Sequence, residues 1–209
     1  MNDRQEITGW KDKILFTPGP LTTSRTVKQA MLQDLGSRDF KFIEAVRGIR
    51  RDLLALGEVA DAGYEAILMQ GSGTFGIEAV LSTVTPPDGK WLFIINGAYG
   101  RRMNMIAGVL GLETAVLTYP ENSKPNLKEI DDALAQDTAV THVGVVHCET
   151  TTGIINQVEA IGEIVRRNGR VYFVDAMSSF GAIPLNLAQA KIDYLVSSAN
   201  KCIEGVPGF

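Results

Sequence analysis

Residues 157–179 read QVEAIGEIVRRNGRVYFVDAMSS and contain both kinds of element from which this chain is built. In the first half Val158, Ile161 and Val165 recur at the spacing of one helix face, and Glu163 and Arg167 form an i,i+4 pair. The second half begins with an uninterrupted apolar run, which has the length of a buried strand and ends in Asp175. The stretch therefore predicts an amphipathic helix followed by a strand.

The same alternation of short apolar runs and longer amphipathic segments continues on both sides of this stretch. Parallel strands joined by crossover helices produce such an order, and strands that are apolar throughout indicate a sheet covered on both faces. We predict an α/β fold, a three-layer, mostly parallel sheet with helices on both faces. The predicted strands are 65–70, 91–96, 114–119, 142–147, 171–175 and 194–198, and the predicted helices are 40–56, 74–83, 126–136 and 157–168.

The predicted helix 40–56 precedes the sheet and differs from the others. It carries Ile43, Val46, Ile49 and Leu53 on one side and basic residues on the other. This pattern predicts a helix at the surface or at an interface.

Composition restricts the class of function. Hydrophobic residues make up 45% of the 209 residues and charged residues 21%, as in ordinary globular proteins. The net charge is −4 and no basic block occurs, so nucleic acid is not an expected partner. No apolar stretch approaches the ~20 residues that span a bilayer, and the first residues form no hydrophobic signal core. We therefore expect a cytoplasmic protein without membrane contact.

The chain contains only two cysteines and two histidines. Cys148 and Cys202 lie far apart and form neither a disulfide framework nor a paired metal knuckle. Only His142 and His147 could add imidazole ligands, so we expect no metal site.

A glycine-rich turn, Gly71-Ser72-Gly73-Thr74, lies between a predicted strand and a predicted helix. Glycines let the backbone approach an anion closely, and the first turn of a helix attracts phosphate through its free N–H groups and its dipole. The turn therefore predicts a phosphate site, although a plain turn with a Ser or Thr helix cap would have the same sequence.

Residues 71–76 also match the pattern G-x-G-x-x-G of dinucleotide-binding folds. That pattern requires an acidic residue at the end of the next strand to bind the ribose, and Asn96 stands there instead. A dinucleotide-binding oxidoreductase therefore remains as the weaker alternative.

Asp175 and Lys201 follow two predicted strands that are one crossover apart. Ligands of open α/β sheets bind beyond the carboxyl ends of the strands, so both side chains are expected at the same edge. Burial disfavours the charge of a lysine and makes its amine a better nucleophile. Taken separately, Asp175 could be a turn cap and Lys201 a solvated loop residue.

A phosphate site, a carboxylate and a lysine together are what pyridoxal 5′-phosphate requires. The lysine binds the aldehyde, the acid keeps the pyridine nitrogen protonated, and the helix start holds the phosphate. Tyr99 follows the next predicted strand and could cover the ring, or it could be an aromatic residue of a surface turn.

At these residues the chain resembles the class V group of fold-type I aminotransferases over essentially its whole length. The stretches that carry the resemblance are 16–20 (FTPGP), 36–40 (GSRDF), 71–74 (GSGT), 147–153 (HCETTTG), 175–179 (DAMSS) and 198–201 (SANK). Within the group, GSRDF and ETTTG most resemble enzymes that act on 2-aminoethylphosphonate and pyruvate.

The resemblance implies a role for each motif residue. Lys201 would bind the cofactor covalently and move the substrate proton, and Asp175 would pair with the pyridinium. The other residues implied to contact the cofactor are Tyr99 and Met177 on the two ring faces, Thr150 near the ring hydroxyl, and Ser72, Gly73, Thr74 and Asn200 at the phosphate.

The resemblance also implies a domain organisation. Residues 1–25 would line the active site, and residues 26–209 would form the cofactor-binding large domain, incomplete and without the small C-terminal domain that carries the substrate arginine. A homodimer is expected of the complete enzyme.

The implied reaction transfers the amino group of 2-aminoethylphosphonate to pyruvate and gives phosphonoacetaldehyde and L-alanine. An alanine:glyoxylate or serine:pyruvate type of aminotransferase is the alternative within the group. An inactive fragment is a further alternative.

Overall fold

The computed structural model describes residues 13–208. The helices are α1 (Arg25–Ala30), α2 (Phe40–Leu56), α3 (Gly73–Val84), α4 (Ala98–Val109), α5 (Leu127–Gln136) and α6 (Val158–Arg167). The strands are β1 (Lys90–Ile95), β2 (Glu113–Thr118), β3 (Val140–Val146), β4 (Cys148–Glu149), β5 (Ile154–Ile155), β6 (Val171–Asp175) and β7 (Tyr194–Val196).

Five strands form one sheet in the order β2-β1-β3-β6-β7, and every neighbouring pair in it is parallel. Strands β4 and β5 form a separate antiparallel pair. Because the strands of the large sheet run in one direction, all their carboxyl ends lie along one edge.

Helices cover both faces of this sheet. On one face Ile130 of α5 and Ile161 of α6 belong to a buried cluster with alternate residues of the central strands. On the opposite face Ile77 of α3 and Met103 of α4 belong to a second cluster that contains Phe173 of β6. Layers of helix, sheet and helix confirm the predicted α/β fold.

Local sequence accounts for several element boundaries. Helix α5 starts after Asn126, whose side chain accepts hydrogen bonds from the N–H groups of Lys128 and Glu129. Helix α6 is followed by Gly169, which has a φ of 68° and ends the helix in the left-handed region.

The predicted strand 65–70 is wrong, because no part of it lies in a strand. The carbonyl of Ala66 accepts a hydrogen bond from the Arg50 side chain at 2.8 Å, and Ile67 is 79% exposed. An apolar run forms a strand only where a neighbouring strand supplies hydrogen bonds, and none of the described strands pairs with this one. The prediction for 194–198 was also too long, since β7 ends at Val196.

The sequence patterns missed α1, α4 and the β4–β5 pair. Helix α4 contains two glycines, which lower helix propensity, and it follows a third, Gly97. Its first residues are therefore typical of a turn in sequence.

Helix α2 has the bounds expected of it, and none of its residues is buried. Ile43 and Ile49 of its apolar side are 36% and 48% exposed. In residues 13–208, no helix has both the length and the apolar character required to cross a lipid bilayer.

Candidate active site

The fold brings the ends of β6 and β7 together at the carboxyl edge of the sheet. Asp175 is the last residue of β6 and pairs in register with Val196, the last residue of β7. Lys201 follows in a turn, where its backbone N–H donates to the carbonyl of Ser198 at 3.2 Å. Asp175 and Lys201 therefore lie on the same edge, as predicted.

A cleft of about 420 Å³ opens at this edge. Its walls come from the start of α3, the start of α4, the turn after β6 and the turn after β7. The predicted residues that line it are Ser72, Gly73, Thr74, Tyr99, Met177, Asn200 and Lys201, joined by Gly71, Arg102, Ser178, Ser198, Pro207 and Gly208.

The glycine-rich turn leads into the start of the 12-residue helix α3. Ser72 is its N-cap, and the Ser72 hydroxyl accepts a hydrogen bond from the N–H of Phe75 at 3.2 Å. A Cβ at Gly73 would lie 2.1 Å from the Met177 sulfur, so only glycine fits there without moving Met177. The Ser72 cap is neutral, and the first turn of α3 contains no acidic residue. The positive end of the α3 dipole therefore faces the cleft without a compensating negative charge from that turn.

Asp175 is buried beneath the cleft, with an exposed fraction of 2%. Its Oδ1 accepts a hydrogen bond from the N–H of Met177 at 3.0 Å, whereas Oδ2 is buried and has no hydrogen-bond partner among residues 13–208. Burial, opposed by the Met177 hydrogen bond, raises the pKa of this carboxyl to about 6. A buried carboxylate with one unpaired oxygen suits a cationic N–H group such as a pyridinium.

Lys201 is half-buried, between the buried amine and the solvated loop residue that its sequence position allowed. Its methylene groups pack against the N-terminal segment, since a Cβ at Gly19 would lie 2.3 Å from Lys201 Cδ. The predicted site-lining segment 1–25 thus touches Lys201 at Gly19, while residues 1–12 of that segment lie outside the described residues.

Thr150 is placed next to the turn after β6 and does not line the cleft. Its hydroxyl lies 2.6 Å from the hydroxyl of Ser178, which does line it. On the other side Asn200 accepts a hydrogen bond from the Ser198 hydroxyl at 2.7 Å, which orients the Asn200 amide beside Lys201.

Sequence reasoning missed two charged residues near the cleft. The Arg102 guanidinium lies 5.8 Å from the centre of the Tyr99 ring, one helical turn further along α4. Glu149 is buried, and its carboxylate accepts hydrogen bonds from the N–H groups of Tyr99 and Gly100. A correct helix prediction over 98–109 would have placed Arg102 on the side of Tyr99.

Asn96, the residue that weakened the dinucleotide alternative, is buried in an amide network. Its side chain donates to the Ser123 carbonyl and to the Asn156 side chain, and Asn156 donates back to it. Asn96 therefore serves the packing between β1 and the segments beside it.

The family model described as aminotransferase class-V matches residues 23–209 of this chain. The chain belongs to the class-V aminotransferase family. Enzymes of this family depend on pyridoxal 5′-phosphate, which confirms the predicted cofactor. Membership also decides against the dinucleotide-binding alternative, because the matched region includes the glycine-rich turn.

Two curated relatives of the chain share a name. A 2-aminoethylphosphonate--pyruvate transaminase of Syntrophobacter fumaroxidans is 55% identical over 196 residues, which are 94% of this chain and 53% of the relative. A protein of the same name from Lysinibacillus sphaericus is 50% identical over 195 residues, again 53% of its length. The chain spans about half the length of these relatives.

Solved structures of the family have the same fold. The ureidoglycine-glyoxylate aminotransferase of Bacillus subtilis superposes with a TM-score of 0.88 and 26% identity, covering 96% of this chain and 51% of that one. The alanine--glyoxylate aminotransferase of a Nostoc species gives a TM-score of 0.87 and 27% identity, covering 100% of this chain and 56% of the other.

Proposed function

We propose that this chain is the cofactor-binding part of an aminotransferase that moves the amino group of 2-aminoethylphosphonate to pyruvate. The observation that carries the proposal is the unpaired, buried Oδ2 of Asp175 at the sheet edge where Lys201 and the start of α3 meet. The names of the curated relatives support the choice of substrates.

The residues at the cleft fit pyridoxal phosphate chemically. Ser72, Gly73 and Thr74 at the start of α3 would hold its phosphate, and Asp175 would hold its ring nitrogen. Lys201 offers the amine that binds the aldehyde. When bound, the cofactor supplies an electron sink for the carbanion that forms when the substrate carbon loses its proton.

The chain's own residues would then perform binding, exclusion of water and proton transfer. Tyr99 and Met177 would cover the two faces of the cofactor ring and keep water from the reacting carbon. The Lys201 amine would take the proton from the substrate carbon and deliver it to the C4′ carbon of the cofactor. Asp175 would stay ionised throughout, because a cation opposite Oδ2 favours its charged form.

A homodimer is part of the proposal. The exposed isoleucines of α2 give this helix an apolar surface that a second copy could bury. Sedimentation of the complete enzyme at several concentrations tests this point.

Borohydride reduction followed by peptide mass analysis tests the proposal itself. We expect a phosphopyridoxyl adduct on Lys201 after incubation with the cofactor, and none in Lys201→Ala. Lys128→Ala is the matched control, because Lys128 lies on the exposed side of α5 and pairs with Asp132. An adduct spread over surface lysines, with Lys201 unmodified, would refute the assignment.

The substrate is tested by the product. With 2-aminoethylphosphonate and pyruvate the complete enzyme should form alanine, and phosphonate recognition should come from bidentate donors such as arginine. Faster turnover of alanine with glyoxylate would favour the alanine:glyoxylate alternative.

A further inference from the structure

Glu149 is fully buried, with an exposed fraction of 0%, yet it carries a carboxylate. It is the last residue of the short strand β4 and reaches across to the start of α4. Its Oε1 accepts a hydrogen bond from the N–H of Gly100 at 2.9 Å, and its Oε2 accepts one from the N–H of Tyr99 at 3.2 Å.

The start of α4 has no local cap. The N-cap position is Gly97, which has no side chain to bond the first N–H groups of the helix. A Cβ at Gly97 would lie 2.4 Å from the Glu149 carboxyl carbon and from Oε2. Because position 97 is glycine, the Glu149 carboxylate has room to cap α4, although Glu149 belongs to strand β4.

Glu149 also organises the turn that carries Thr150. The carbonyl of Glu149 accepts hydrogen bonds from the N–H of Gly153 at 2.7 Å and from the N–H of Thr152 at 3.2 Å. One residue thus joins two parts of the site, the backbone of Tyr99 at the start of α4 and the turn that carries Thr150.

We infer that Glu149 is a positioning residue that sets Tyr99 against the cofactor ring by fixing the first turn of α4. The inference rests on the proposed function, since it needs a cofactor for Tyr99 to cover. The Glu149 carboxylate accepts hydrogen bonds from two consecutive N–H groups, which fixes the position of the Tyr99 backbone. The backbone position in turn sets the point from which the Tyr99 side chain extends. The Glu149 charge also contributes to the raised pKa of Asp175.

A double-mutant cycle tests this role. Cofactor dissociation constants are measured by absorbance titration for the wild type, Glu149→Gln, Tyr99→Ala and the double variant. Glutamine keeps one acceptor for two donors, so Glu149→Gln should weaken cofactor binding roughly tenfold. In the Tyr99→Ala background the same change should weaken it by less than about threefold, because the ring that Glu149 positions is gone.

The control is Glu163→Gln on the exposed side of α6, where the carboxylate pairs with Lys191 at 3.6 Å. It should leave the dissociation constant unchanged. Equal effects of Glu149→Gln with and without Tyr99 would overturn the inference and leave Glu149 a purely structural cap. Failure of the wild type to bind the cofactor would instead overturn the proposed function, and the inference with it.

A second variant covers the case in which Glu149→Gln does not fold. Gly97→Ala leaves Glu149 in place but puts a methyl group where its carboxylate lies. Its effect should again depend on the presence of Tyr99. Unchanged cofactor binding in a folded Gly97→Ala protein would contradict the inference.

Discussion

Two buried carboxylates lie near the cleft, and they differ in how many of their oxygens accept a hydrogen bond. Glu149 uses both oxygens on N–H groups of α4, whereas Asp175 uses only one, on Met177. The Oδ2 of Asp175 has no hydrogen-bond partner in the described part of the chain. A buried charge needs partners, so Glu149 is satisfied within the protein, whereas Asp175 keeps one oxygen for the ligand that we propose.

The same contrast separates the two helices that start at the cleft. The first turn of α4 receives a full carboxylate, while that of α3 receives a neutral serine hydroxyl. The carboxylate already compensates the positive end of the α4 dipole. The start of α3 is therefore the better place for the phosphate in the proposed complex.

The largest expected effect is that of Asp175→Asn on the cofactor-free protein. A pKa raised from 3.8 to about 6 means that folding favours the protonated acid, so stability is lost as the pH rises through about 6. Asparagine cannot ionise and should stabilise the empty protein by roughly 3 kcal/mol above pH 6, and by nothing below pH 4. Urea unfolding at pH 4 and pH 8 measures the difference.

The same substitution should weaken cofactor binding, because asparagine offers no charge to a pyridinium. Asp88→Asn, in an exposed turn, is the matched control for both measurements. If Asp175→Asn destabilised the empty protein at pH 8, Asp175 would be a structural residue like Glu149.

A smaller effect, of the opposite sign, is expected for Glu149→Ala. Two N–H groups lose a charged acceptor in a buried place, which should cost about 2 kcal/mol of unfolding free energy without cofactor. Chemical denaturation between pH 6 and pH 8 should show the loss at every pH. A loss confined to the cofactor-bound protein would mean that the cap forms only with the ligand.

The smallest effect is expected for Ser72→Ala at the start of α3. Loss of a neutral N-cap hydrogen bond typically costs about 1 kcal/mol. Thermal unfolding checks this value, and Ser72→Thr should restore most of it. If Ser72→Ala lowered the free energy of unfolding more than Glu149→Ala does, the cap of α3 would contribute more to stability than the cap of α4.

Features that depend on residues close together in the sequence were predicted, and features that depend on distant residues were not. Helices α5 and α6 and strands β3 and β6 were predicted because the apolar pattern that identifies each one lies within the element. Strand 65–70 failed because pairing depends on a partner elsewhere. Helix α4 was missed because of its glycines and because its cap is Glu149, about 50 residues further along the chain.

The candidate site follows the same rule. Parallel strands place their carboxyl ends at one edge, so Asp175 and Lys201 could be located from strand order alone. The orphaned Oδ2 of Asp175 could not be predicted, because it depends on how the turn after β6 packs. The individual roles of the site residues remain predictions, and these residues are Ser72, Gly73, Thr74, Tyr99, Thr150, Asp175, Met177, Asn200 and Lys201.

The contact between Gly19 and Lys201 has a consequence for the order of assembly. The lysine methylenes occupy the space that a side chain at position 19 would need, and the two residues come from opposite ends of the described chain. During synthesis Gly19 leaves the ribosome long before Lys201, while the intervening sheet is still forming. Gly19 therefore acquires Lys201 as its neighbour only after all the residues between them have been translated.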